Sequence, residues 1–255
     1  MSPRLYCPTS LHNDELIDLP AAVAHHAARV LRLREGDPVT LFNGEGGESE
    51  ARLTRIGSRS VSAMVGQHHA VERESPLQVT LLQGLAGAER MDYVIQKAVE
   101  MGVAAIAPLT TARSVTRLDA ARASKRAEHW RAVIVASCEQ CGRNRLPLLH
   151  PLRDFDAALG SSGSLDPRAD VGATTGAALS LVLSPGEGSS LTAFDRPSGA
   201  IRLLIGPEGG LAPEELAAAH RAGFRNVRLG PRVLRTETAG VAALAAMNAL
   251  WGDWR

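Results

Sequence analysis

The residues best suited to chemistry lie in three short loops that follow apolar segments in the second half of the chain. These loops, 184–188, 206–210 and 230–232, read SPGEG, GPEGG and GPR. In open parallel sheets ligands bind at the carboxyl ends of strands, and glycine lets the backbone approach a ligand with its N–H groups exposed. None of the loops matches GxGxxG or GxxxxGK(S/T), which argues against a dinucleotide or a nucleoside triphosphate. We therefore expect a site for a different flat ligand; the alternative is three tight turns that bind nothing.

The third loop continues as VLRTETA, a segment of dense charge just before the last apolar run. The loop contributes Arg232, and the segment after it contributes Arg235 and Glu237. Thr236 or Thr238 could cap the helix that follows. Capping does not account for two arginines and a glutamate beside a Gly-Pro turn. We therefore expect these charges to serve the site.

A second polar cluster, CEQCGRNR at 138–145, lies at the end of a predicted helix. Zinc would need a second cysteine pair beyond Cys138 and Cys141, and a redox CxxC normally opens a helix rather than ends one. A carboxylate, two amides and two guanidiniums close together suit contact with a phosphate or a base edge. The polar groups, rather than the cysteines, are therefore predicted to do the chemistry.

The charge of the chain is balanced overall but not locally. There are 28 Lys and Arg residues against 27 Asp and Glu, so the total gives no sign of a nucleic-acid partner. The segment from Arg113 to Arg145 nevertheless holds 8 basic residues against 3 acidic ones, whereas residues 1–74 carry 8 against 10. Such a local excess is typical of a phosphate-binding patch, and a solvated helix face is the alternative.

Size and composition indicate an ordinary globular protein with one large domain or two modest ones, at 255 residues with 45% hydrophobic and 22% charged side chains. Three cysteines cannot form a disulfide framework. No apolar run is long enough to span a bilayer, and MSPRLYCPTS lacks the apolar core of a signal peptide. We therefore expect a soluble cytoplasmic protein. No Cys or acidic cluster accompanies its histidine pairs, so we expect no metal there.

The first seventy residues are predicted to form a small β-rich module. Pro38–Phe42, Glu50–Ile56 and Ser60–Val65 alternate with period two and are separated by turns. Ala21–Leu33 is predicted to be a helix, and the polar stretch at 72–76 marks a domain boundary.

The rest of the chain alternates strands with helices, which predicts an α/β fold with a mainly parallel sheet. An amphipathic repeat over Met91–Val99 indicates a helix that Gly102 closes, and Pro213 followed by two glutamates opens another. The other predicted elements are the strands Val79–Leu82, Val103–Ala107 (ended by Pro108), Leu179–Leu183, Ile201–Ile205 and Val227–Leu229, the helices Ser124–Cys141 and Thr238–Trp251, and a loop at Gly160–Asp170.

Four segments together resemble one known family. They are IQKAVEMGVAAIAPL at 95–109, CEQCGRNRLP at 138–147, GPEGGLAPEEL at 206–216 and LGPRVLRTETA at 229–239. In this order they are similar to the bacterial 16S ribosomal RNA (uracil-N3)-methyltransferases, S-adenosylmethionine-dependent enzymes of the SPOUT class. The likeness runs over nearly the whole chain, including HHAARVLRLREGD at 25–37.

The resemblance implies a fold that spacing alone does not show. Residues 1–72 would form a PUA-like RNA-binding β-barrel domain. Residues 76–255 would form a SPOUT methyltransferase domain, a parallel sheet whose chain end threads a loop to make a trefoil knot. Family members act as homodimers with the active site completed across the interface, so a homodimer is implied here too.

The resemblance also implies that the three loops hold S-adenosylmethionine. The residues expected around this cofactor are Leu183, Gly206, Pro207, Glu208, Gly209, Leu229, Gly230, Leu234 and Thr236. The family often has His-Pro-Arg after its third strand, where this chain has Ser184-Pro185-Gly186. An arginine contact at that place is therefore not expected.

The implied reaction is methylation of N3 of one uridine in the 16S rRNA of the small ribosomal subunit. N3 is a weak acid and must lose its proton before it attacks the sulfonium methyl. Arg235 or Arg232 is the candidate for stabilising the uracil anion. Glu139 or Glu237 is the candidate base, unless the glutamate orients an arginine instead. No metal is expected, because the leaving group is already good. The predicted RNA contacts are Arg113, Arg122, Lys125, Arg126, Arg143 and Arg145.

Two alternatives stay open on the sequence. One is a methyltransferase of the same class that acts on a ribose 2′-hydroxyl. The other is an RNA-binding ribosome assembly factor without catalysis, against which the intact glycine loops argue. Whether the substrate is free rRNA or an assembled subunit is also open.

Overall fold

The computed structural model describes residues 2–57, 60–159, 178–186 and 188–254. The chain divides into two units, and one of them is discontinuous in sequence. The first unit consists of Met1–Glu74 and Val135–Leu146, and the second of Ser75–Ile134 and Pro147–Arg255. A division at 72–76 alone would leave residues 135–146 in the second unit, whereas here they pack with the first.

A five-stranded mixed sheet forms the frame of the first unit. Its strands are β1 (Arg4–Tyr6), β2 (Leu16–Asp18), β3 (Pro38–Phe42), β4 (Glu48–Ile56) and β5 (Val61–His69). Their order is β1-β3-β4-β5-β2, with β1 parallel to β3 and the other neighbours antiparallel. The three predicted strands are confirmed. β1 and β2 have three residues each, too few for alternation to reveal them.

The helix predicted over Ala21–Leu33 is shorter than expected. Helix α1 spans Ala21–His25, and a π-helical turn continues from His26 to Val30. Arg32 then adopts a positive φ of 55°, which ends the helical path. The prediction was wrong for the C-terminal part of this helix, because the spacing of apolar residues does not distinguish an α-helical turn from a π-helical one.

A seven-stranded sheet runs through the second unit. Its strands are β6 (Val79–Gly84), β7 (Ala105–Thr110), β8 (Leu148–Leu149), β9 (Arg153–Asp154), β10 (Leu179–Leu183), β11 (Ile201–Ile205) and β12 (Arg225–Val227). The order is β12-β10-β11-β6-β7-β8, and β9 also pairs with β7. All these pairs are parallel, which confirms the predicted α/β fold.

Five helices accompany the parallel sheet. They are α2 (Ala88–Glu100), α3 (Ala120–Cys141), α4 (Phe155–Leu159), α5 (Pro213–Arg221) and α6 (Thr236–Trp251), and a short 3₁₀ turn spans Leu191–Ala193. The predicted apolar face of α2, from Met91 to Val99, is buried. Gly102 follows with a φ of 79°, as a glycine that closes a helix should. α3 continues from the second unit into the first beyond Ile134.

The central strands form because their residues are apolar along their whole length. All six residues of β6 are buried, as are most of those of β10 and β11, which is typical of strands covered on both faces. The predictions for β10 and β11 match residue for residue. The last strand was predicted at Val227–Leu229 but runs from Arg225 to Val227.

Pro108 does not end the second strand of this unit, as the sequence suggested. β7 continues to Thr110, and Pro108 stands opposite Gln83 of β6. On the other side of β7, β8 pairs at 105–106 and β9 at 109–110. Pro108 therefore lies between the positions where β8 and β9 pair with β7. Proline has no backbone N–H, and at this position no hydrogen bond between strands is lost.

In the described part of the chain, no helix is both long enough and apolar enough to cross a membrane. The loop predicted at Gly160–Asp170 lies outside the described residues, as does Glu187 of the first of the three glycine-containing loops.

Candidate active site

Two adjoining cavities lie at the carboxyl ends of the parallel strands in the second unit. The first has a volume of about 550 Å³ and the second about 290 Å³. Both are lined by the segment after β10, Leu183–Pro185, and by Val233 and Leu234 before α6. β12, β10 and β11 are neighbours in the sheet, so the loops that follow them must meet at one edge.

The loop after β11 folds back on itself, and this requires glycine. A Cβ atom on Gly206 would lie 2.9 Å from the carbonyl carbon of Gly210 and from the backbone nitrogen of Leu211. Gly210 itself has a φ of 68°. Because Gly206 at the start of the loop has no side chain, the loop can expose its backbone N–H and C=O groups to the first cavity.

Thr236 ties this loop to the start of α6. Its buried hydroxyl donates to the carbonyl oxygen of Gly206 at 2.6 Å and accepts from Nε2 of Gln83 at 2.9 Å. Arg235, rather than a threonine, occupies the N-cap position, and its side chain makes no capping bond. The structure thus gives Thr236 a role in holding the loop that the capping interpretation did not anticipate.

A chain of three charged groups borders the first cavity. Nη1 of Arg90 lies 2.6 Å from Oε1 of Glu208, and Nε of Arg90 lies 3.7 Å from Oε1 of Glu237. The backbone N–H of Gly87 also donates to Oε1 of Glu208, at 2.8 Å. Burial raises the pKa of Glu208, but the bonds from Gly87 and Arg90 outweigh it and the pKa is lowered. The bond to Glu208 raises the pKa of Arg90.

Glu237 keeps one oxygen available. Its Oε2 atom is buried and has no hydrogen-bond partner among the described residues, while its other oxygen lies near Arg90. Glu237 lines the first cavity together with Arg235. Because buried polar atoms are normally hydrogen-bonded, this oxygen marks a place where a ligand could supply a donor.

In the first unit, the end of α3 and the turn after it are held by a partly buried ionic cluster centred on Glu48. This carboxylate lies 2.5 Å from Nη1 of Arg4 and 2.9 Å from Nη1 of Arg73. It also accepts from the amide of Asn144 at 3.2 Å, and that amide donates to the Val71 carbonyl oxygen. Hydrogen bonding from Arg73 is the largest influence on the pKa of Glu48. Despite burial, this bond and those from Arg4 and Asn144 lower it to about 2.

The other polar residues of 138–145 also have partners inside the first unit. Arg143 is almost fully buried and lies 2.5 Å from Glu74, and Arg145 pairs with Glu72 at 3.2 Å. Glu139 accepts from the backbone N–H of Tyr6 at 2.9 Å. Burial raises the pKa of Glu139, and the bond from Tyr6 only partly offsets this. This segment is therefore built to join a helix end to a sheet.

Models of two known domains match this chain. The RNA methyltransferase domain matches residues 73–248, and the RNA methyltransferase PUA domain matches residues 19–63. The chain belongs to the RNA methyltransferase family. The resemblance of its four motifs to methyltransferases is thereby confirmed.

Relatives and solved structures of this family match nearly end to end. Ribosomal RNA small subunit methyltransferase E of Buchnera aphidicola is 30% identical over 98% of this chain and 97% of its own. The enzyme of that name from Neisseria gonorrhoeae, solved bound to S-adenosyl methionine, is 37% identical and covers both chains fully with a TM-score of 0.89. A Legionella pneumophila protein described as a methyltransferase, in complex with bound SAM, is 34% identical over 99% of each chain with a TM-score of 0.90.

The structure brings together every residue that was expected around the cofactor. Those that line the first cavity are Gly206, Pro207, Glu208, Gly209 and Thr236, those that line the second are Leu229 and Gly230, and Leu183 and Leu234 line both. Of the catalytic candidates, Arg235 and Glu237 line the first cavity and Arg232 the second. Glu139 lies in the first unit and is absent from both linings.

Arg90 is the site residue that sequence reasoning missed. It stands in the first turn of α2, just after the loop that leaves β6. That loop follows the carboxyl end of a central strand, as the other three do, and this position was the available signal. The segment has no Gly-Pro or Pro-Gly turn, unlike the other three loops, and this is why the sequence pattern did not single it out.

The predicted RNA contacts fall into four groups. Arg122 and Lys125 are exposed and Arg126 half-buried on α3 in the second unit. Arg113 lines the first cavity and donates to the carbonyl oxygen of Gly209 at 2.9 Å. Arg145 is paired but about half exposed. Arg143 was predicted wrongly: its guanidinium is buried against Glu74, so we no longer count it as an RNA contact.

The three cysteines are free thiols, and Cys138 is buried. No group of three or more His, Cys, Asp or Glu side chains there could hold a metal ion. Burial raises the pKa of the Cys138 thiol to about 12, so this thiol is protonated at neutral pH. The polar groups of 138–145, rather than its cysteines, determine what the segment does.

Proposed function

We propose that this protein transfers a methyl group from S-adenosylmethionine to N3 of a specific uridine in the 16S rRNA of the small ribosomal subunit. The observation that carries the proposal is the meeting of three glycine-containing loops at two adjoining cavities, beside Arg235 and a glutamate whose buried Oε2 has no partner among the described residues. Two solved relatives described as bound to this cofactor, and the printed name of the relatives, support it.

The cofactor fits the residues that line the two cavities. Their volumes fall in the range of small-molecule sites, and apolar side chains of Leu183, Leu211 and Leu234 would lie against a flat ring. The fold-back at Gly206 leaves room for the ligand to approach the backbone, whose N–H and C=O groups can bind polar edges. When bound, S-adenosylmethionine supplies an electrophilic methyl group on a sulfonium that is a good leaving group.

The protein must then help uracil to lose its N3 proton. Arg235 is the better candidate than Arg232 for stabilising the anion, because it shares the first cavity with Glu237. A guanidinium aimed at the uracil oxygens lowers the cost of the negative charge that develops there. Glu237 is the better candidate base than Glu139, whose carboxylate is bonded to the Tyr6 backbone in the first unit.

The proposal extends to the setting in which the protein works. Residues 1–72 act as a PUA-like RNA-binding domain and residues 76–255 as the methyltransferase domain, in a homodimer in the cytoplasm. The matches of the PUA and methyltransferase models to 19–63 and 73–248 support this division. The segment 135–146 serves the first domain structurally, although it lies within the sequence of the second.

The decisive experiment is nucleoside analysis of small-subunit rRNA. A strain that lacks the gene should lose one 3-methyluridine by mass spectrometry, and the purified protein with S-adenosylmethionine should restore it. Free rRNA and assembled subunits from that strain, tested side by side, identify the substrate. An unchanged 3-methyluridine content would overturn the proposal, and a methyl group on ribose instead would replace it with 2′-hydroxyl methylation.

Removing positive charge from α3 tests how the RNA binds. Replacing Arg122, Lys125 and Arg126 together by alanine should weaken binding. The slope of log affinity against log salt is negative, and the substitution should make it less steep by about two, since each phosphate contact on a single strand contributes about 0.7. Binding is measured by filter retention between low and moderate salt.

A matched control removes exposed charge elsewhere in the second unit. Arg196 and Arg221 are exposed, and replacing both by alanine should change the slope little per charge removed. Equal effects per charge in the two variants would mean that α3 makes no specific phosphate contacts and is only a solvated face.

A further inference from the structure

We propose that Arg90 is a positioning residue for the reaction. By binding Glu208 and lying beside Glu237, it holds the cofactor loop and the carboxylate that takes the proton in one fixed relation. This inference rests on the proposed function and adds a residue to its machinery.

The contacts of Arg90 are unequal, and the difference is informative. Its Nη1 atom makes a close bond of 2.6 Å to Glu208, whereas its Nε atom stays 3.7 Å from Oε1 of Glu237. The first is a charge-assisted hydrogen bond, and the second is a charge interaction beyond hydrogen-bond distance. Glu237 is therefore kept next to a positive charge without being bonded by it. Its buried Oε2 atom has no hydrogen-bond partner among the described residues.

The carboxylate of Glu208 is held by two donors. It accepts from the backbone N–H of Gly87, the N-cap residue of α2, so the carboxylate lies at the positive end of that helix. Arg90 projects from the first turn of the same helix onto the same carboxylate oxygen. These two bonds join the start of α2 to the loop 206–210, and Arg90 lies beside Glu237.

The test compares Arg90→Gln, Arg90→Lys and Glu237→Gln in the full-length protein with its RNA substrate. Arg90→Gln should lower kcat by about 100-fold, the range of one acid–base contribution, while changing the KM for RNA by less than about threefold. Arg90→Lys should restore only part of kcat, because an ammonium keeps the charge without the planar fork. Arg221→Gln, the same chemical change at an exposed position of α5, should leave kcat unchanged.

Coupling between the two residues separates positioning from general structural support. In a Glu237→Gln background, adding Arg90→Gln should lower kcat by less than threefold more, because the group that Arg90 serves is already lost. Full additivity, or a rise in the KM for RNA that matches the fall in kcat, would overturn the inference. Failure of the proposed function would instead show as absence of 3-methyluridine with the unchanged protein.

Discussion

Replacing Arg235 by alanine is expected to lower kcat by about two to three orders of magnitude while changing RNA affinity less than threefold. The reason is that negative charge on the uracil oxygens develops only as N3 loses its proton, so a donor aimed at it acts on the transition state. Arg235 lines the first cavity, next to Thr236 and Glu237. Single-turnover rates and equilibrium binding of RNA, measured on the same preparation, separate the two effects.

Two features of the fold make this result interpretable. The side chain of Arg235 makes no capping bond at the start of α6, so alanine removes no bond that holds the helix. Arg232→Ala is the matched control, since Arg232 lines only the second cavity and should lower kcat by less than tenfold. If Arg235→Ala weakened RNA binding as much as turnover, Arg235 would be a phosphate contact rather than a catalytic residue.

Replacing Glu48 by alanine is expected to lower the free energy of unfolding by about 3 kcal/mol, the lower end of the range for a buried ion pair, because the cluster is only partly buried. The substitution leaves Arg4, which is about nine-tenths buried, without its carboxylate partner, although Nη2 of Arg4 still donates to the Arg143 carbonyl oxygen and to Asn144. It also takes an acceptor from Asn144, which is fully buried. Urea unfolding, followed by tryptophan fluorescence and by circular dichroism, measures the loss.

Glu50 provides the control, two residues along the same strand. Its side chain is 73% exposed and pairs only with His69 among the described residues, so Glu50→Ala should cost about 1 kcal/mol or less. Similar losses for the two variants would show that the cluster around Glu48 adds nothing beyond an exposed ion pair.

The ionic cluster around Glu48 also affects how the free energy of unfolding depends on pH in acid. The folded-state pKa of Glu48 is about 2, against an ordinary value of 4.5, so its contribution is complete above pH 4.5 and is lost as the pH falls towards 2. Between those values the unfolding free energy should fall less steeply in Glu48→Gln than in the unchanged protein. Parallel curves would rule out Glu48 as a source of acid sensitivity.

The sequence predicted best those features that depend on local pattern. Short apolar runs at Leu179–Leu183 and Ile201–Ile205 can only be buried strands, and the loops after them meet because parallel neighbours end at one edge. All the expected cofactor residues therefore line the two cavities. The same topological rule would have included the segment after β6, and hence Arg90, had it been applied without requiring a Gly-Pro or Pro-Gly turn.

Contacts between residues far apart in the chain could not be predicted from the sequence. Nothing in the local pattern of CEQCGRNR tells that Arg143 and Asn144 pair with Glu74 and Glu48, which are 69 and 96 residues away. A charged side chain that is available to a ligand and one that is paired within the protein look alike in a sequence. Arg143 was for this reason assigned to RNA, and the role of Glu139 stayed open.

The hydroxyl of Thr236 has a consequence for how the chain acquires its ability to bind a ligand. It joins Gly206, 30 residues away, to Gln83, 153 residues away. Such distant contacts are slow to form, and during synthesis the earlier part of the sheet emerges first. The cofactor cavity cannot close until α6 has docked, so a partly synthesised chain has no affinity for the cofactor. Cofactor binding then stabilises the completed fold alone, and supplying it during refolding should raise the yield of native protein.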